Sequence, residues 1–245
     1  MLFNPAGTYE TIYTVPSFNC DCNNNLHLSG LLKFTQQVCF EHMELYGLPY
    51  ESMFDMGMIF MLSKVYIRIH QMPRPNQQLK LRTCPLTPVG AQFLRAVTFE
   101  EETTGQELVR VYTSNLLVNP QTRKILRPAA FTHPLNAGDF PESMNIFKIA
   151  QPEVLHPAPD RPVRYSDIDL NGHINNTVYA DIALDALDYS LPATREIREF
   201  VIQYQSEAKP EDSLNLQTGS HDPNRWYVGG TTSRGKCFEA TITFC

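Results

Sequence analysis

The chain has 245 residues, 42% hydrophobic and 19% charged, a composition that points to a folded globular protein. Its formal net charge of −6 speaks against a nucleic-acid binder, which carries a basic face, and no apolar run approaches the ~20 residues of a membrane span. The opening MLFNPAGTYE lacks the basic and apolar regions of a secretory signal, so a cytoplasmic location is the default expectation.

Residues 8–18 read as a first strand. Leu28 to Tyr46 reads as a helix, because Leu28, Leu31, Leu32, Val38, Cys39 and Met43 recur at helical spacing and Gly47 stops the pattern. Ile59–His70, Gln78–Cys84, Gln92–Glu100 and Glu107–Val118 alternate or carry β-branched residues and read as strands. The tract from Glu101 to Gly105 is a hairpin turn. Residues 128–159 hold Pro128, Pro134, Pro141, Pro152, Pro157 and Pro159 with no sustained period, which marks a linker.

The plan then restarts. Val163–Ser166 reads as a short strand, Asp167–Asn175 as a polar turn and Asn176–Leu187 as a helix. Phe200–Glu207, Ser213–Gly219, Tyr227–Thr232 and Phe238–Phe244 read as strands. One stretch aligns across the halves without a gap: Tyr66–Leu81 beside Val201–Leu216. It sets Pro75 against Pro210 and Met72 against Glu207. If the halves are duplicates, the first has an apolar side chain where the second has a carboxylate.

In each half one long helix precedes several antiparallel-looking strands. The expected fold class is therefore α+β, each half a curved sheet wrapped around a helix that buries its apolar stripe on the inner face. Residues 1–130 form the expected N-terminal unit, 131–158 the linker and 159–245 the C-terminal unit. Two such units side by side hide their edge strands by pairing them.

Chemistry concentrates in Asp167 to Tyr179, D-I-D-L-N-G-H-I-N-N-T-V-Y. Asp169, Asn171 and His173 fall at alternate positions, so an extended or turning chain points an acid, an amide and an imidazole the same way. His173 brings an imidazole, a side chain that can orient or relay a proton. Glu207 sits where Pro210 limits pairing, so a strand end or bulge there turns its carboxylate to a cleft. Taken singly, His173 reads better as a loop histidine and Glu207 as a solvated edge residue. Asn175 and Asn176 suit a helix cap, and Tyr179 and Asp181 read as core and surface. There is no G-x-S-x-G elbow, P-loop or dinucleotide fingerprint. The six cysteines read as reduced thiols. Cys20 and Cys22 near His27 lack a second ligand pair, so neither a metal nor any other cofactor is expected.

The D-x-N-x-H-x-N-N core of this stretch resembles that of the plant and bacterial acyl-acyl-carrier-protein (acyl-ACP) thioesterases. Tyr204-Gln-Ser-Glu207-Ala208 is similar to that family's Y-R-R-E-C segment, and Gly57-Met-Ile-Phe-Met-Leu-Ser63 resembles its G-x-x-W-x-L-S segment. The resemblance implies a tandem double hotdog, with acyl-chain selection by the first half and catalysis by the second. It implies release of free fatty acid from acyl-ACP, ending chain elongation in fatty acid biosynthesis. Carried over by motif, the catalytic set is Asp169, Asn171, His173 and Glu207. Ala208 stands where the family motif has cysteine, so a thiolate is absent there and water or a carboxylate must attack.

The mechanism expected is deprotonation of water by Glu207 with His173. Asn171 and the helix N-terminus near Asn175 would stabilise the oxyanion, and Asp169 would hold the set in register. Met53, Met56, Met58, Ile59, Phe60 and Met61 are the expected lining of the acyl slot, since methionines adapt to irregular cavities. The expected partner is an acidic acyl carrier protein, met by basic residues among Lys64, Arg68, Lys80, Arg82, Arg195, Arg198 and Lys209. Homodimerisation stays open. The rival readings are an acyl-CoA thioesterase, a hotdog hydratase or dehydratase, and a non-catalytic acyl-binding module.

Overall fold

A computed structural model of the chain describes every residue except Met1, Pro5, Ala6, Pro134 and Asn136, with residues 2–4 described by their backbone. Pro134 of the proline-rich segment thus lies outside the described residues. Helix α1 (Leu28–Leu45) forms where the apolar stripe places it. Leu28, Leu31, Leu32, Thr35, Val38 and His42 are buried at helical intervals, so one face of the helix meets the core. Gly47, at φ +70°, ends it as expected. A short helix α2 (Tyr50–Asp55) follows, which the sequence pattern had not marked.

The first half supplies strands β1 (Leu2–Asn4), β2 (Thr8–Thr14), β3 (Ile59–Ile69), β4 (Gln78–Val89), β5 (Gln92–Glu101) and β6 (Glu107–Val118). The rest of the chain supplies the two-residue β7 (His156–Pro157) and β8 (Arg161–Pro162), helices α3 (Val178–Asp185) and α4 (Ser190–Thr194), and strands β9 (Ile197–Tyr204), β10 (Ser213–Asp222), β11 (Arg225–Thr232) and β12 (Gly235–Phe244). The strands all join one sheet in the order β1-β2-β4-β5-β6-β3-β9-β12-β11-β10-β7, with β8 on β10.

The seam between the halves is the antiparallel β3–β9 pair, running from Lys64 opposite Gln203 to Arg68 opposite Glu199. Tyr66 lies opposite Val201, the first pair of the gapless internal alignment. That coincidence is what a pseudo-twofold axis through the seam requires. Neither seam strand is an edge, so the pairing groups of both are used.

Alternation sorts the sheet into two faces. Val65, Ile67, Val97, Phe99, Val111, Phe200, Ile202 and Ala240 face a core shared with Leu31 and Val38 of α1 and Ile182 and Ala183 of α3. Each such Val, Leu, Ile or Phe contributes roughly 1.5–3 kcal/mol by leaving water. The opposite face at the seam carries Tyr66, Leu94, Tyr112 and Val201, covered by Phe140, Met144, Phe147 and Ile149 of the proline-rich segment. Gln203 anchors that cover by donating to the Phe147 carbonyl at 2.6 Å.

Three expectations change. Val163–Ser166 is not a strand: Tyr165–Asp167 forms a 3-10 turn. The cause is Asp167, whose carboxylate accepts both Arg161 guanidinium N–H groups at 2.8 and 2.9 Å and the Arg164 backbone N–H at 2.7 Å. Strand β9 ends at Tyr204, three residues before Glu207. Asp181 is half-buried instead of exposed; burial raises its carboxyl, while a Ser29 hydrogen bond opposes the shift.

His42 is wholly buried on α1, where desolvation and then the Arg95 charge lower its pKa to about 3 from the ordinary 6.5. The unfolded chain takes up this proton first. The stabilisation from a neutral His42 is therefore complete above pH 6.5 and is lost as pH falls toward 3. Urea unfolding across that range is expected to show His42→Gln losing less stability on acidification than the parent; parallel curves would contradict it.

Candidate active site

The polar turn closes on itself before α3 begins. The Asp169 backbone N–H donates to the His173 carbonyl at 3.0 Å and the Gly172 N–H to the Asp169 carbonyl at 3.0 Å. Gly172 sits at φ +79°, a conformation that costs a side-chain-bearing residue and that glycine adopts freely. Asp169 Oδ1 accepts the Asn171 backbone N–H at 2.8 Å, an Asx turn that fixes Asn171 beside His173. Asn175 turns the chain just ahead of α3: its side-chain oxygen accepts the Thr177 N–H and hydroxyl, both at 2.9 Å, and Thr177, not Asn175 or Asn176, occupies the cap position.

This turn is tied to β9 and the loop after it. The Ile174 N–H donates to the Ala208 carbonyl at 3.0 Å. Tyr204 donates its hydroxyl to the Asn176 carbonyl at 2.9 Å, and Tyr179 accepts the Ala208 N–H at 3.3 Å. Glu207 is thereby carried to the imidazole, with its Oε1 3.5 Å from His173 Nε2. On the other side His173 Nδ1 is 3.3 Å from the Ile174 carbonyl and 3.9 Å from Asp169 Oδ1. All three side chains are largely covered: 18% exposed for His173, 17% for Asp169 and 26% for Glu207.

The first half completes the site with residues the sequence reading did not single out. Arg123 makes an ion pair with Glu207, presented by a tight loop in which Asn119 Oδ1 accepts the Gln121 and Thr122 N–H groups. Tyr50 of α2 reaches Asn171 Oδ1 at 3.5 Å. No local pattern marks Arg123, which lies 84 residues from its partner.

A cavity of about 1140 Å³ opens on this turn. Its walls are Leu32, Phe40 and Met43 of α1, Leu48 and Met53 near α2, Phe60, Phe93 and Asn115 of the sheet, and Phe131 and His133 of the proline-rich segment. Phe60 and Phe93 meet edge to face at 5.1 Å, and Phe131 closes on Phe60 at 5.3 Å. At the polar end lie Asp169, Asn171, His173, Asn176 and Tyr204. Glu207 is absent from the lining; it reaches the site through His173.

Of the residues proposed for the slot, Met53, Ile59 and Phe60 line this cavity. Met56, Met58 and Met61 do not. Met56 follows the last residue of α2 and Met61 points outward from β3, leaving them 40% and 37% exposed, while Met58 packs against the cluster of Leu48, Met53, Phe93 and Leu117. The strand's two-residue period separates Met61 from Phe60.

The first half holds a matching turn without the chemistry. The Asp21 N–H donates to the Asn25 carbonyl, the Asn24 N–H to the Asp21 carbonyl, and the Leu26 N–H to the Pro73 carbonyl. Asn24 takes the positive φ, +59°, that Gly172 takes in the second half. Superposed on this pattern, Asn25 stands in the place of His173 and Met72 in that of Glu207. The signal D-C-N-N-N-L against D-L-N-G-H-I was present in the sequence.

Residues 6–130 match the acyl-ACP thioesterase N-terminal domain, and residues 158–235 match the acyl-ACP thioesterase C-terminal domain. The chain belongs to the acyl-ACP thioesterase family. Chloroplastic oleoyl-ACP thioesterase 2 of Arabidopsis thaliana is 21% identical over 241 residues, covering 91% of this chain and 66% of that protein. The crystal structure of an acyl-ACP thioesterase from Bacteroides thetaiotaomicron superposes with a TM-score of 0.85 at 19% identity, covering 98% of both chains. The 12:0-ACP thioesterase from Umbellularia californica superposes at 0.83 with 13% identity, covering all of this chain and 99% of that one. The α+β tandem double hotdog expected from the sequence is thus the fold of this acyl-ACP thioesterase family member.

The Arg161–Asp167 pair holds the start of the polar turn, with the Asp167 side chain 6% exposed. Arg161→Ala leaves that carboxylate buried without its cation. Because Arg161 is part-exposed, the expected cost is about 2–3 kcal/mol, below the ~3–5 of a fully buried pair. Urea midpoints measure it; an unchanged midpoint would contradict this account.

Proposed function

We propose that this chain hydrolyses the thioester of fatty acyl-ACP to free fatty acid and holo-ACP. The observation that carries the reading is the His173 imidazole on the wall of a largely apolar cavity, with Glu207 3.5 Å behind it. An alkyl chain alone needs no such set of polar groups, which disfavours a purely binding role.

The acyl chain lies along Phe60, Phe93 and Phe131, which leaves the carbonyl carbon at the turn. His173 takes a proton from water as that water attacks the carbon. Glu207 compensates the imidazolium and keeps the ring oriented, itself held by Arg123. Because Glu207 does not line the cavity, it acts on the ring and not directly on water, a revision of the role expected from the sequence. The developing oxyanion meets the Asn171 amide and the Asn176 N–H, which has no protein acceptor among the described residues. The Thr177 and Val178 N–H groups are already taken by Asn175, so the helix N-terminus offers less than its position suggested. Collapse breaks the C–S bond, and the leaving thiolate takes the proton from His173.

The carrier is the less constrained half of the substrate. Arg68 pairs with Glu142, Lys80 and Arg82 with Glu100, and Arg198 with Glu196, so much of the basic surface expected for carrier docking is already neutralised. Parallel assays with acyl-CoA decide between the carriers.

Thiol release from acyl-ACPs of graded length is the direct test. His173→Ala and Glu207→Ala are each expected to lose about 10²–10⁴ in kcat/KM while keeping the parent's circular dichroism. Near-parent rates in either folded variant would remove its role. Phe60→Ala opens the aromatic wall and is expected to lengthen the preferred chain while costing about 3 kcal/mol of stability. An unchanged chain-length profile would place the slot elsewhere.

A further inference from the structure

One group in the cavity fits poorly with a plain alkyl chain. Arg95 of β5 lines it and is only 8% exposed. Among the described residues its guanidinium meets neutral groups alone. It donates to His42 Nδ1 at 2.9 Å, to Thr83 Oγ1 at 3.1 Å and to Met43 Sδ at 3.4 Å. His42 remains neutral across the physiological range, its pKa being about 3 through burial and then through Arg95 itself. A guanidinium carries five N–H donors, so donors remain beyond these three contacts.

The place of Arg95 in the sheet is also informative. It lies opposite Thr113, which lies opposite Val65, which lies opposite Ile202 of β9. Three interstrand steps of ~4.8 Å put it about 14 Å across the sheet from the strand that ends at Tyr204, at the polar end of the cavity. An extended chain gains ~1.2 Å per bond, so an acyl chain running straight across meets Arg95 after roughly a dozen bonds. Beside it Asn115 donates to Thr113 Oγ1 at 3.3 Å, which makes this stretch of wall polar.

Methylene groups packed here would strip water from a charge and return no acceptor. A chain that brings a carboxylate supplies the acceptor a guanidinium binds best. We propose that Arg95 is a specificity-determining residue, and that this cavity takes acyl chains ending in a carboxylate near Arg95 over methyl-ended chains of equal length. The inference rests on the thioesterase reading for the site that turns the substrate over, and it names the class of chain.

The test compares methyl-ended acyl-ACPs of graded length with their ω-carboxyl counterparts. At lengths that reach Arg95, the wild-type kcat/KM ratio is expected to favour the ω-carboxyl chain by about 10- to 100-fold, the effect of one charge-assisted hydrogen bond. Arg95→Met is expected to reduce the ratio at least tenfold, and Arg95→Lys to retain part of it. If Arg95 only braces α1 against β4 and β5, both substrates fall together and the ratio stands. A wild-type ratio at or below one at every length overturns the proposal without needing a folded variant. An unchanged ratio in folded Arg95→Met overturns it too. Calorimetric binding of half-methyl esters of α,ω-diacids against the methyl esters of methyl-ended acids of equal length asks the same question without turnover. A preference for the half-esters that Arg95→Met abolishes, in a protein that cleaves no thioester, would defeat the hydrolase reading and leave this one standing.

Discussion

The β3–β9 seam is the constraint on which the rest of the structure depends. Each half has one long sheet edge that would otherwise present unpaired backbone groups. Joining the edges through Lys64–Arg68 and Glu199–Gln203 removes both and makes one sheet of two. The same pairing fixes where the halves meet. It brings Arg123 and Tyr50 of the first half onto Glu207 and Asn171 of the second, so the site belongs to neither half alone. The proline-rich segment reinforces the arrangement twice. Phe147 and its neighbours cover the outer face of the seam, and Phe131 and His133 close one wall of the cavity.

Two copies of one plan diverge at a few side chains. The first-half turn keeps the backbone hydrogen bonds of the second-half turn, with Asn25 and Met72 in place of an imidazole and a carboxylate. A turn stabilised by Asp, Asn and a positive-φ residue serves as structure in either half, because its hydrogen bonds close within itself. The second half differs by His173 and Glu207, and the first half supplies Arg123 as the counter-charge to that carboxylate. Met72 packs against the core instead, consistent with a position relieved of polar duty.

Charge inside the fold is handled in two ways. Asp167 is nearly buried but fully met by Arg161 and the Arg164 N–H, an arrangement that shapes the chain before the turn. Arg95 is equally buried and is met by neutral acceptors at the wall of the cavity. The first is closed and structural. The second leaves donors at the cavity wall, and that difference gives the cavity its chemical character.

The sequence by itself determined the local elements. The stripe of α1, the strands from Ile59 to Val118 and the Gly47 stop all follow from periods of 3.6 and two and from the conformational freedom of glycine, which act within a few residues. It also determined the polar turn, since Asp169, Asn171 and His173 lie within five positions of one another. The alignment of Tyr66–Leu81 with Val201–Leu216 carried the duplication and the Met72–Glu207 contrast. Tertiary structure decided the rest. Glu207 falls beyond β9 because Gln205 and Ser206 turn to the Cys237 carbonyl, and it meets Arg123 only because the seam sets the two loops together. Composition placed Met56, Met58 and Met61 with Met53 in the slot, but the end of α2 and the pleat of β3 send them elsewhere. Periodicity is written in neighbouring residues, whereas which side chains face one cavity depends on contacts between segments tens of residues apart.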